Sequence, residues 1–175
     1  MNATEQNRST RPVLLERVVG EFEKAINAID AIDDLSFRRM SLRSSSVGAQ
    51  LRHVLDVANA FLNGIAGGRV DYVDRKRDPR IESDRAYAVV AIQRTIARFE
   101  SLGTREFSKS VVVRSEADDS IWLPSSVARE AEYVLHHTVH HHALIAEILA
   151  VAGVAFTKDF GVAESTLQYR ASLAA

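Results

Sequence analysis

The chain has 175 residues, enough for one domain with a single core and too few for two comfortable ones. Apolar residues make up 46% and charged residues 26%, with a formal charge of -1, so the clustered basic surface of a nucleic-acid-binding protein is not expected. Because there is no cysteine, disulfides, thiolate catalysis and Cys-based zinc sites are excluded.

Residues 1–10 read as a loose polar tail, without the apolar stretch of a secretory signal. No apolar run approaches the roughly 20 residues that cross a bilayer, so no membrane partner is expected and a cytoplasmic location is the default. Residues 11–175 read as one domain. Its first helix starts at Pro12 and repeats Val18, Val19, Phe22, Ile26 and Ile29 at helical spacing before fading at Asp33 and Asp34. Residues 37–45 are basic and Ser-rich, with no clear period. Ser44, Ser45 and Ser46 offer caps for a second helix carrying Leu51, Val54, Leu55, Ala58, Phe61 and Leu62, which Gly67 and Gly68 stop.

Residues 71–80 are densely charged and read as an irregular loop. Asp71, Asp74, Arg75, Arg77 and Asp78 are expected to form a salt-bridge network among themselves that pins this loop to the rest of the chain. A third helix runs from about Ser83 to near Gly103, through Ala86, Val89, Ile92, Ile96 and Phe99. Residues 107–113 then turn β-branched, and Asp118-Asp119-Ser120 precedes Ile121-Trp122-Leu123, which predicts a short two-stranded ribbon holding the only tryptophan. Ser125 and Ser126 cap a long fourth helix over about 127–152, closed by Gly153. The apolar tail from Phe160 to Tyr169 is expected to dock. Four amphipathic helices make the fold class all-α, a four-helix bundle with a short ribbon before its last long helix.

All six histidines fall in two places, His53 on the second helix and His136, His137, His140, His141 and His142 on the fourth. Imidazole is the commonest protein ligand for transition metals, and residues four apart on a helix lie only about 40° apart around its axis. Of the two such pairs, His137 and His141 share a side with Val134, Leu144, Ile145 and Ile148, whereas His136 points away. His137 and His141 therefore face the interior, with His53 as the third ligand. His140 lies at the margin, and the run 140–142 reads partly as surface decoration. Three imidazoles leave coordination positions for water or substrate, as in a reactive metal site. Glu130, two turns before His137 on the same face, is a candidate to orient an imidazole or to act as an acid–base group. If the charged loop covers the metal mouth, Arg75 or Arg77 would receive an anionic substrate. The zinc-protease signature is absent, since Thr138 stands where its glutamate belongs.

At residues 48–56 (Gly48-Ala49-Gln50-Leu51-Arg52-His53-Val54-Leu55-Asp56) and 129–145, around His137-Thr138-Val139-His140-His141, the chain resembles the DinB-like (YfiT-like) metal-binding four-helix bundle proteins. Blocks 71–78 and 159–166 look like those of one bacterial subgroup of that family. The resemblance implies a metal held by one histidine of the second helix and a His-x-x-x-His pair near the end, which are His53, His137 and His141 here. It also implies a homodimer, and it includes thiol S-transferases that use a metal to activate a low-molecular-weight thiol. A metal-dependent transferase acting on a small thiol, with zinc or nickel as the divalent ion and iron as a further candidate, is the resulting expectation. The alternative is a metal- or ligand-binding bundle without catalysis, serving as a stress-related sensor or interaction module.

Overall fold

Four segments carry apolar residues at helical spacing, and each is a long helix in the computed structural model, which describes residues 12–41 and 45–173. The expected tail at 1–10, and Ser44 as a cap, lie outside them. Helix α1 (Val13–Asp30) follows Pro12 and buries Leu15, Val18, Val19, Phe22, Ala25, Ala28 and Ile29. A five-residue helix, α2 (Asp34–Arg38), is capped by Asp33, whose carboxylate accepts from the Ser36 amide, and it buries Phe37 completely. Five residues are too few to display a period, which is why this stretch of the sequence looks irregular.

Helix α3 (Val47–Gly64) begins at Ser46, whose hydroxyl accepts from the Ala49 amide. A 3₁₀ turn, Ile65–Gly67, leads into the short strand β1 (Arg69–Val70) through Gly68 at φ 70°, a left-handed backbone that suits glycine. Helices α4 (Arg80–Ser83) and α5 (Arg85–Glu100) meet at Asp84, which caps the second of them. A single helical turn, α6 (Thr104–Phe107), precedes strands β2 (Ser110–Arg114) and β3 (Trp122–Ser126) and the long helix α7 (Val127–Val151). Helix α8 (Glu164–Leu173) ends the described chain.

Among the described residues the fold is mostly helical, 65% of them in helix with eight helices, and it carries one small sheet. Helix α1 packs on α5 and α7, and α3 packs on the same two, so the four long helices close a ring around one core. At its centre the Phe99 ring stacks between those of Phe22 and Phe61, with centroids 5.9 Å apart in each pair. Fully burying each such ring contributes about 1.5–3 kcal/mol. Gly48 is required where α3 meets α4, because a Cβ there would strike the Glu82 carbonyl and the Phe37 ring. Among the described residues no helix is long and apolar enough to cross a membrane.

Three expectations need correction. The ribbon is part of a three-stranded sheet in the order β1-β2-β3: β2 and β3 pair antiparallel, and β1 pairs parallel to β2 with Arg69 opposite Val112 and Val70 opposite Val113. A two-residue strand shows no alternation, and its conformation comes from the partner's backbone. The ribbon also starts later than the β-branched run, because residues 104–107 form a helical turn first. Finally, the tail docks closely only through its first two residues, Phe160 and Gly161. Phe160 is buried, whereas α8 buries none of its side chains and is held to α1 by an Arg17–Glu164 ion pair at 3.2 Å.

Candidate metal centre

Helix α3 directs Leu51, Val54, Leu55 and Ala58 into the core, which leaves Gln50 and His53, three residues apart, side by side at the edge of that face. Helix α7 buries Val127, Glu130, Ala131, Val134, Thr138, His142, Ile145 and Leu149. His137 and His141 border this stripe and are half-buried, while His142 occupies its centre. The interior-facing assignment of His137 and His141 is thus corrected to a marginal one. Because α3 packs against α7, the margins of the two helices meet. There His53, His137 and His141 each offer a ring nitrogen, and these atoms all lie within 4.8 Å of one another.

The distances suit a shared cation. The Nε2 atoms of His53 and His137 are 3.1 Å apart, against the ~3.0–3.4 Å separating two nitrogens that each stand about 2.05 Å from one tetrahedral or octahedral ion. Ring centroids are 4.9 Å apart for His53 and His137, 4.7 Å for His53 and His141, and 4.5 Å for His137 and His141. The Nδ1 of His141 lies 2.5 Å from the Gln50 carbonyl oxygen, so Nδ1–H donates there and Nε2 keeps its lone pair for a metal. Gln50 is itself held, its amide donating to Ser45 Oγ at 2.7 Å. The Nδ1 of His137 is buried with no hydrogen-bond partner.

Electrostatics keep the rings neutral. Burial pushes the His53 pKa down, with Arg75, Arg52 and Arg77 adding to the shift. Burial and the neighbouring imidazoles take His137 to about 4 and His141 to about 3. Every charged group acting on the three rings is an arginine or another histidine. Neutral imidazole is the ligating form, so the donor set fits a divalent metal ion.

The other candidates are placed differently. Glu130 is buried and accepts hydrogen bonds from Tyr72 Oη at 2.9 Å and Ser125 Oγ at 2.6 Å, each worth about 1.5–3 kcal/mol with a charged acceptor. Its link to the histidines runs through tilted ring contacts: Tyr72 lies 5.0 Å from Tyr133, and Tyr133 lies 5.8 Å from His137. Arg75 reaches the site, with Nη2 3.5 Å from His53 Nδ1 and Nη1 donating to the Tyr72 carbonyl at 2.5 Å. Arg77 is exposed and acts on His53 only through its charge. His140 is exposed with its ring edge-on to His141 at 5.2 Å, and His136 faces Glu132 at 3.8 Å on the surface. Thr138 turns its hydroxyl to the Val134 carbonyl at 2.7 Å.

The salt-bridge network expected inside the charged loop does not form among the described residues. Asp71 pairs instead with Arg114 of β2 at 3.1 Å and accepts from the Val73 and Asp74 amides. Asp78 accepts from Tyr87 Oη at 2.8 Å and from the Arg80 amide. Asp71 and Asp78 are taken by neighbouring elements, and Arg75 is left to face the histidines. His142 is a second correction: it is no surface decoration but fully buried, 2.9 Å from Glu21 Oε2 and stacked on Phe160 at 4.6 Å. Its position central to the stripe, between Thr138 and Ile145, was a signal available from spacing alone. So was Gln50, one turn before His53. Tyr72 and Ser125 carried no such signal, since they reach Glu130 only across the fold.

No curated protein sequence matches the chain. Among solved structures it is similar to the DinB-like protein YjoA from Bacillus subtilis, with a TM-score of 0.62 and 13% identity, over 82% of this chain and 94% of that one. At that identity the likeness concerns the fold. Residues 14–145 match the sequence profile of the DinB superfamily, a span that takes in the helices bearing all three clustered histidines, and the chain belongs to that superfamily.

Proposed function

We propose that His53, His137 and His141 hold one divalent metal ion, and that the protein is a metal-dependent transferase acting on a small thiol. The observation that carries this reading is the convergence of three half-buried neutral imidazoles within 4.8 Å, with no carboxylate of the described residues bonded to any of them. A carboxylate ligand would complete and quieten the site, whereas three neutral donors leave the positive charge of an ion undiminished. When bound, such an ion supplies Lewis acidity that lowers the pKa of a thiol or water joining it. Zinc and nickel suit an all-imidazole set best, and iron is also compatible.

The chain's own residues do the rest. Gln50 holds the His141 ring in the ligating tautomer. Glu130 serves as a positioning residue: it grips the Tyr72 hydroxyl and so the start of the loop that carries Arg75. In this reading the four long helices constitute a four-helix bundle, and the protein works in the cytoplasm as a homodimer on a small-molecule substrate. Light scattering after size exclusion tests the dimer. The activity is tested with protein purified without a histidine tag or nickel column. Metal analysis should show one divalent ion per chain, and a panel of thiols and electrophiles should show conjugation that His137→Ala abolishes. Full metal occupancy without conjugation of any pair would overturn the transferase and leave the non-catalytic alternative.

A further inference from the structure

Arg75 has donors that the protein does not use. A guanidinium carries five N–H groups. Nη1 donates to the Tyr72 carbonyl, Nη2 stands at the limit of hydrogen bonding from His53 Nδ1, and Nε is buried with no partner at all. No carboxylate of the described residues pairs with it. Asp71 is committed to Arg114, Asp78 to Tyr87 and Arg80, and Asp56 to Arg52, so that Asp56 acts on Arg75 only through its charge, and the exposed Asp74 makes no ion pair with it. A partly buried guanidinium without a contacting anion is costly, because its desolvation is only partly offset.

The cost has a direction. Arg75 reaches the imidazole of His53 from the Nδ1 side, while the Nε2 of the same ring points at His137. The guanidinium is therefore one imidazole's width from the nitrogens that would grip a cation. With a dication among neutral ligands, the mouth would hold more positive charge than Asp56, already paired with Arg52, offsets. A site of this kind favours an anionic visitor with two handles.

We propose that Arg75 is the receptor for a carboxylate, and that the natural ligand is a short carboxylic acid whose thiol, two or three atoms away, reaches the metal. This rests on the metal reading above and names the substrate class for that site. A single guanidinium edge matches the two oxygens of a carboxylate in a parallel pair of hydrogen bonds, whereas a phosphate dianion calls for more donors than one arginine offers here. The exposed Arg77 adds long-range attraction without a contact of its own.

The test uses the full chain loaded with cobalt(II), whose near-ultraviolet charge-transfer absorption reports a thiol joining the ion. Mercaptoacetate, its methyl ester and 2-mercaptoethanol are titrated in turn. Mercaptoacetate should bind about tenfold more tightly than its neutral ester, the worth of one charge-assisted contact. Arg75→Gln should bring the two affinities together while cobalt stays at one per chain, and Arg75→Lys should restore part of the difference. A purely structural Arg75 would weaken all three thiols alike. Equal affinity of the wild type for acid and ester, or an unchanged ratio in Arg75→Gln, overturns the carboxylate receptor alone. The wild-type comparison stands even if the variant does not fold. Failure to take up cobalt in a manner sensitive to His137→Ala overturns the metal reading, and this inference with it.

Discussion

His141 and His142 are neighbours in the chain and opposites in the structure. His142 lies on the central stripe of α7, fully buried, with a carboxylate of Glu21 at 2.9 Å and the Phe160 ring stacked on it at 4.6 Å. Glu21 is shared in turn with Lys24 at 2.8 Å, and Lys24 reaches Asp159 at 2.8 Å. The result is a chain of polar contacts that ties α1, α7 and the 159–161 segment together. His141 is about 100° around the helix from it. It is half-buried, it faces a neutral amide, and its other neighbours are histidines. The comparison teaches that an imidazole's role here is set by its partner. Beside a carboxylate it is a fastening. Deprived of carboxylates and grouped with its own kind, it is available as a ligand. Gly161 sharpens the contrast, since its φ of 73° and its contact with the Ala143 backbone bring the C-terminal segment flush against the His142 side of the helix.

The comparison can be broken most severely on the ligand side. His137→Ala or His141→Ala should lower metal affinity by about a thousandfold or more while the fold persists, because an exposed edge loses a ligand and the core loses nothing. Calorimetric titration with zinc, alongside far-ultraviolet dichroism, checks both halves. On the fastening side the pattern should reverse. Glu21→Ala leaves a fully buried imidazole without its partner and should cost about 1–3 kcal/mol in a denaturant melt, with metal stoichiometry held at one.

A smaller effect separates ligand from support. Gln50→Ala removes the acceptor that fixes the His141 tautomer, and metal affinity should fall about 10–100-fold with little change in melting temperature. The smallest effect is on pH dependence. His137 and His141 titrate in the fold at about 4 and about 3, well below the usual 6.5, so the unfolded chain takes up their protons first. Their contribution to stability is complete above about pH 6.5 and is lost as pH falls toward about 4 for His137 and about 3 for His141. Glu21, Asp71 and Asp159 are also held below their ordinary values and subtract further at the acid end. Thermal melts of metal-free protein from pH 8 to 4 should show a falling midpoint, and the His137→Gln/His141→Gln double variant should flatten the fall between pH 7 and 5.

Much of this was readable in one dimension. The four long helices follow from apolar periodicity and from caps such as Ser46 and Ser126, because a helix of 16 residues or more is governed by its own local pattern. The triad was readable too, since a four-residue interval on α7 and a lone histidine on α3 define faces before any packing is known. The short elements were not. Strand β1 exists because β2 lies beside it, and α2 because Phe37 fills a hole in the core.

Charge pairing lay further out of reach. Sequence places Asp71, Asp74, Arg75, Arg77 and Asp78 together, and proximity along the chain suggests that they pair. Only the folded chain shows Arg114 claiming Asp71 and Tyr87 claiming Asp78, so that Arg75 turns to His53. Likewise the depth of His142 depends on Glu21, which lies 121 residues away. Helical periodicity is local, and one dimension suffices for it. The partner of a charge is whichever group the tertiary fold brings within a few ångströms, and that is decided only when distant segments meet.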